Sequence, residues 1–152
     1  MRHFTQALVL AAITIGGGGS AHALLPLARP EPFPNFVPGD SAPFAAAWAI
    51  TIPTMEVGIP DTVLATCDRP VRIEAADKTH IFYLGPRETE ADAAMELQVL
   101  DGGTMWTPIA GGPSFFAFWV DHDIFYLYDE VPQAEADWGI PYVYRRCLSA
   151  DS

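Results

Sequence analysis

Three features are scarce in this chain of 152 residues, and each scarcity excludes a class of protein. Cysteine occurs only at positions 67 and 147, too few for a dense disulfide framework. Lys and Arg number 8 against 19 Asp and Glu, and this deficit of positive charge argues against nucleic acid and anionic membrane surfaces as partners. The apolar run at residues 7–15 is about half of the roughly 20 residues that span a bilayer. We therefore expect no nucleic-acid partner and no membrane span.

The N-terminus has the three parts of a cleavable secretory signal peptide. Arg2 and His3 form a basic start, the apolar run follows, and residues 21–23 read Ala-His-Ala, with small residues at the two positions that a signal peptidase reads. Cleavage before Leu24 leaves 129 of the 152 residues, which is typical of one domain. We predict a signal peptide at residues 1–23 and a mature monomer that is periplasmic or secreted.

The two cysteines, Cys67 and Cys147, both lie in the predicted exported part. In an oxidising compartment, two thiols most simply form one bridge. Such a bridge closes a loop of 80 residues, for which loop-closure entropy gives on the order of 4 kcal/mol of stabilisation. We predict a structural Cys67–Cys147 disulfide.

Residues 24–43 are predicted to form a proline-rich extended arm. Proline removes backbone donors and favours extended conformations, so neither a helix nor a central strand is expected here. One interpretation is a disordered or loosely packed leader. The other is a recognition arm whose apolar anchors are Phe33, Phe36 and Val37.

Residues 44–148 are predicted to form a single β domain, followed by a tail at 149–152. Val71, Ile73 and Ala75 alternate with charged residues, which is the period of a strand with one exposed face. The Asp-Gly-Gly sequence at 101–103 is typical of a hairpin turn, and a short helix at 89–95 is the one competing prediction. We predict strands over residues 44–52, 62–66, 71–75, 80–84, 95–99, 104–109, 114–120, 124–128 and 140–147.

Aromatic residues are concentrated between positions 115 and 144. Both faces of residues 115–120 are bulky, so this strand is expected either to be buried on both faces or to line a pocket. Core packing is one interpretation of the cluster. A hydrophobic ligand site is the other, because most small-ligand pockets are apolar with few polar groups. The candidate ligand-binding residues are Trp48, Phe116, Phe118, Trp119 and Tyr126.

Residues that could carry chemistry are few. Outside the predicted signal peptide only His80 and His122 remain, and His122 lies between two aspartates. Neighbours in a strand or tight turn point in different directions, whereas a metal site needs three or four converging ligands. The Gly-x-Ser-x-Gly elbow of many hydrolases is absent. We expect no catalytic residue, no metal and no cofactor, and keep a small hydrolase using His80 or His122 as an alternative.

The segment Phe44-Ala45-Ala46-Ala47-Trp48 resembles the first strand of lipocalin-like barrels. In that family a tryptophan plugs the barrel floor, a late arginine packs across its ring, and a long-range bridge to a late cysteine is frequent. The resemblance implies a β-barrel carrier in which Arg145 or Arg146 makes a cation–π contact with the tryptophan.

The same opening, together with the arm at 24–43, is also similar to the small periplasmic inhibitors of secreted bacterial metalloproteases. Those proteins are barrels of about this size, and their extended N-terminal segment enters the protease cleft. Their bridge joins two cysteines close in sequence, whereas positions 67 and 147 are far apart. This resemblance implies a protein partner bound through the arm.

These patterns predict an all-β, mostly antiparallel fold, either a small lipocalin-like barrel or a sandwich, with a proline-rich N-terminal arm. The expected function is that of an exported, non-enzymatic carrier of a small apolar ligand. The alternative is a protein-binding module, such as a protease inhibitor.

Overall fold

The computed structural model describes residues 29–133 and 137–148. The predicted signal peptide and the tail at 149–152 lie outside these residues. A short 3-10 helix, Ala42–Phe44, precedes the first strand. The described strands are β1 (Ala46–Ile52), β2 (Thr62–Ala65), β3 (Val71–Asp77), β4 (His80–Leu84), β5 (Ala93–Leu100), β6 (Gly103–Pro108), β7 (Phe115–Asp121), β8 (Ile124–Tyr128) and β9 (Tyr142–Arg146).

The strands form one antiparallel sheet that closes on itself. From β3 to β9 each strand pairs with the next, and β9 returns to pair with β1. The other edge of β1 is shared: its first residues pair with β3 and its last residues pair with β2. The result is a closed barrel of eight strands with β2 as an extra short strand. The predicted all-β antiparallel barrel is confirmed, and the sandwich alternative is wrong.

All nine predicted strands are present, each end within two residues of its predicted position. The competing helix at 89–95 is not formed, because β5 already begins at residue 93. Asp101 and Gly102 make the predicted hairpin turn with φ of 45° and 78°, the left-handed conformation that a two-residue turn of this kind requires. Within the described residues no helix has the length and hydropathy needed to cross a membrane.

The predicted disulfide joins Cys67 to Cys147, with a Cα–Cα distance of 5.5 Å. Cys67 lies between β2 and β3, and Cys147 directly follows β9. The backbone N–H of Cys147 donates to the carbonyl of Ala47 at 2.8 Å. Because β2 and β3 flank one edge of β1 and β9 flanks the other, the bridge ties together both neighbours of the first strand.

Residues 29–43 of the arm lie against the end of the barrel at which β1 begins, which we call the closed end. The Phe33 N–H donates to the Trp119 carbonyl at 3.1 Å, and the Gly39 N–H donates to the Thr104 hydroxyl at 2.9 Å. The Ser41 N–H donates to a carbonyl in the turn between β3 and β4 at 2.9 Å. The described part of the arm is therefore ordered against the barrel and not a loose leader.

Candidate functional site

An aromatic cluster fills the closed end of the barrel. Phe44, Trp48 and Phe125 are all at most 1 % exposed, and the Phe125 ring centroid lies 5.1 Å from that of Phe44 and 4.8 Å from that of Trp48, edge to face in both pairs. The Trp48 indole N–H donates to the Phe44 carbonyl at 2.9 Å, so its polar atom is satisfied inside the core. Trp119 packs against the same rings. The closed end is therefore packed with aromatic rings that contact one another.

Two residues of the arm complete the closed end. Phe36 stacks on Trp119 with a centroid distance of 4.0 Å and an interplanar angle of 3°. Phe33 packs against Phe36 at 5.6 Å. Val37, the third anchor considered for a recognition arm, is 68 % exposed. Two of the three anchors are thus already occupied within the protein, which removes much of the support for an arm that enters another protein.

Arg146 lies across Trp48, with its guanidinium carbon 4.6 Å from the ring centroid. Its Nη2 donates to the Pro43 carbonyl at 2.8 Å, and its Nε pairs with Asp123 at 2.9 Å. The cation–π contact that the lipocalin resemblance implied for Arg145 or Arg146 is therefore present, and Arg146 makes it. Arg145 points away from the core and is exposed.

A cavity of about 330 Å³ occupies the other half of the barrel interior, which we call the open end. Each of the nine strands contributes at least one lining residue, which places the cavity inside the barrel. Most of the lining is apolar, and the residues that define its walls are Ile50, Val71, Met95, Trp106, Phe115 and Leu127. Its size falls in the range of small-ligand pockets, about 300–1,000 Å³.

The polar groups inside this cavity are neutral hydrogen-bond donors. The Tyr83 and Tyr144 hydroxyls lie 3.1 Å apart. Burial raises the pKa of both, that of Tyr144 well above its usual 10.0. Trp106 is 1 % exposed, and its indole nitrogen has no hydrogen-bond partner among the described residues. An unsatisfied buried donor is unfavourable, so this N–H reduces the stability of the core around it.

The rim of the cavity carries one further polar pair. The Tyr142 hydroxyl donates to Asp129 Oδ2 at 3.3 Å. Burial, and then the neighbouring Asp129 charge, raise the pKa of Tyr142, so this hydroxyl also stays neutral near pH 7. Asp129 is exposed, which shows that the cavity reaches the surface here.

A second aromatic cluster lies on the outside of the barrel wall. It is formed by Phe116 and Phe118 of β7 with Tyr128 and Trp138, and the Trp138 ring packs 5.5–5.8 Å from both phenylalanines. The Phe116 ring lies directly over Gly103, where a side chain would collide with it. The strand at 115–121 is therefore buried on both faces, one of the two predicted arrangements, because the segment after β8 folds over its outer face.

The five candidate ligand-binding residues do not line one cavity. Trp48 and Trp119 point inward and fill the closed end, whereas Phe116, Phe118 and Tyr126 point outward into the second cluster. None of the five lines the open-end cavity. The five residues therefore lie in two separate clusters, because successive residues of a strand face opposite sides of the sheet.

The two histidines lie apart at the closed end: His80 is the first residue of β4, and His122 lies in the turn between β7 and β8. His80 Nδ1 lies 2.8 Å from Asp77 Oδ1. The pKa of the Asp77 carboxyl is lowered, most strongly by the hydrogen bond from the Thr79 N–H and next by the hydrogen bond with His80. His122 Nδ1 is 3.3 Å from Asp123. In residues 29–133 and 137–148 no three His, Cys, Asp or Glu side chains converge as metal ligands.

The residues that do line the cavity were not singled out from the sequence. Tyr83, Met95 and Trp106 come from three consecutive strands and have no shared motif. One signal was present: each lies at an inward position of its strand, β4, β5 or β6, and lines the cavity. The alternation of each strand gives its inward positions, and those near the open end of the barrel are the residues that line the cavity.

Comparison with protein-family models found no match, and comparisons with curated proteins and with solved structures found no significant match either. The site is therefore interpreted from its own geometry.

Proposed function

We propose that this protein is an exported, non-enzymatic carrier that binds a small apolar ligand inside its barrel. The observation that carries the proposal is the open-end cavity of about 330 Å³, enclosed by all strands of the barrel and mostly apolar. Burial of ligand CH₂ groups against such walls contributes about 0.8 kcal/mol each. The packed side chains of the closed end form the floor of this cavity.

The division of the barrel into a filled half and a hollow half supports binding. Aromatic rings and Arg146 fill the closed end, while the side chains of the open end, aromatic ones such as Trp106 among them, surround a hollow space. A protein that needed only stability would gain from filling this volume, because unfilled cavities reduce stability. The space is thus better explained by an occupant.

Export is part of the proposal. It rests on the features of residues 1–23 and agrees with the Cys67–Cys147 bridge, since disulfides persist in oxidising compartments. Outside the cytoplasm, this bridge would stay oxidised and would stabilise the folded carrier.

The test is binding of an uncharged apolar fluorophore, N-phenyl-1-naphthylamine, to the native protein. We expect saturable binding with energy transfer from the tryptophans of the barrel, of which Trp106 lines the cavity, and loss of binding in Ala65→Phe, which places a ring in the cavity. Ala75→Phe, at an exposed position of β3, is the matched control and should bind as the wild type does. Equal binding by both variants would contradict an interior site.

A further inference from the structure

The barrel wall has a notch beside β2. Among the described strands β2 pairs with β1 only, so its other edge is unpaired. The neighbouring pairing of β3 with β4 ends at Arg72 and Leu84. The connection between β4 and β5 approaches this edge and leaves a second cavity of about 360 Å³. Leu64, Ala65 and Pro86 line both cavities, so the notch adjoins the hollow interior at these three residues.

Two arginines line this notch. Arg69 lies in the turn between β2 and β3, and Arg87 lies in the β4–β5 connection. Neither forms an ion pair with a carboxylate of the described residues, and Glu88 is the one acidic residue that lines the notch with them. The chain as a whole has 8 Lys and Arg against 19 Asp and Glu and is strongly negative. The lining of the notch, with two arginines and one glutamate, has a net positive charge instead.

The backbone holds both arginines in place. Thr66 and Arg69 exchange backbone hydrogen bonds of 2.9 and 3.3 Å, and the adjacent Cys67 is tied to the barrel by its disulfide. On the other side, the Arg72 guanidinium donates to the Glu88 carbonyl at 3.1 Å, and the Gly85 N–H donates to Asp92 at 2.7 Å. Both arginines therefore stand on turns whose backbone is held by hydrogen bonds, and both line the notch.

Interior and notch differ in the ligand chemistry they favour. The interior has no positive charge, and an unpaired carboxylate buried there would lose its hydration without a counter-ion. The notch is exposed and offers guanidinium forks that match a carboxylate. Resting on the proposed carrier function, we propose that the ligand is an amphiphile with an anionic head, a long-chain carboxylate, whose tail fills the cavity and whose head is bound by Arg69 and Arg87.

The test compares dodecanoate with dodecanol, which share an apolar chain and differ in the charge of the head. Each is titrated below its aggregation concentration, by displacement of N-phenyl-1-naphthylamine. We expect dodecanoate to bind about ten-fold more tightly, as expected for two partly exposed ion pairs, and this preference to weaken with salt. The Arg69→Gln/Arg87→Gln double variant should lose the preference and keep its affinity for dodecanol.

Arg145→Gln is the matched control, since Arg145 is exposed on β9 and lines neither cavity. It should retain the preference. If the wild type binds both ligands equally, or if the double variant keeps the preference, the anionic-head assignment is wrong while the carrier function stands. If Trp106→Phe abolishes the preference instead, the head points inward and the notch assignment is also wrong. Binding of neither ligand would overturn the carrier function itself.

Discussion

Arg146 provides the sharpest test of how the closed end is held. Its guanidinium contacts the Trp48 ring, the Pro43 carbonyl and the Asp123 carboxylate, and its side chain is 23 % exposed. One residue therefore connects the segment before β1, the floor of the core, the turn between β7 and β8, and the end of β9. Replacement by alanine removes all of these contacts together.

The expected loss can be worked from these contacts. The partly buried cation–π contact contributes about 1 kcal/mol. The hydrogen bond from a charged donor to the Pro43 carbonyl contributes about 1.5 kcal/mol. The ion pair with the half-exposed Asp123 contributes about 0.5 kcal/mol. We therefore expect Arg146→Ala to lower the free energy of unfolding by about 3 kcal/mol, and Arg146→Lys, which keeps the charge without the planar fork, to lower it by about half as much.

The assay is urea unfolding at pH 7, followed by tryptophan fluorescence and extrapolated to zero denaturant with equal slopes. Arg145→Ala is the control, because this neighbour is exposed, and its effect should stay within about 0.5 kcal/mol. A loss below about 1 kcal/mol for Arg146→Ala, or an equal loss for Arg145→Ala, would refute the reasoning.

Three further predictions concern the bridge, the arm and the buried tyrosines. Replacing Cys67 and Cys147 together by serine should lower the free energy of unfolding by about 4 kcal/mol; an unchanged urea midpoint would contradict this. Phe36→Ala should cost about 2 kcal/mol through its lost ring stack, whereas the exposed Val37→Ala should change the midpoint little; equal effects would restore the free-arm interpretation. Burial raises the pKa of Tyr144 above 10.0, so the folded state holds this proton more tightly than the unfolded state. Its contribution to stability is complete below pH 10 and is lost as the pH rises above it; Tyr144→Phe should flatten that decline in alkaline urea titrations.

Local pattern was sufficient to predict the strands, because each is bounded by turn residues and most alternate in polarity. The Asp-Gly turn at 101–102 and the end of β4 before Gly85-Pro86 are examples in which a short signal decided a boundary. Closure of the sheet was only one of two predicted options, since it depends on β9 reaching β1 across almost a hundred residues. No local pattern encodes that pairing.

The candidate site could be predicted only in part. The first-strand tryptophan and the late arginine were identified together, and their contact is present at 4.6 Å. The aromatic side chains at 116 and 118 were assigned to a ligand because their bulk was visible and the cover over them was not. That cover is Trp138, which lies 20 residues beyond Phe118 and follows a polar segment that gave no sign of packing.

The exceptional position of β2 has a consequence for motion. Its four residues are held along one edge by a pairing whose register is interrupted, and three of the four are exposed. Segments with few buried contacts and exposed backbone hydrogen bonds open with the smallest free energy and exchange their amide hydrogens first. The disulfide at Cys67 anchors the C-terminal side of this segment, so we expect the amides at its N-terminal end, near Thr62, to exchange first. On the proposed carrier function, opening of β2 would widen the wall beside the notch while the rest of the barrel stays folded.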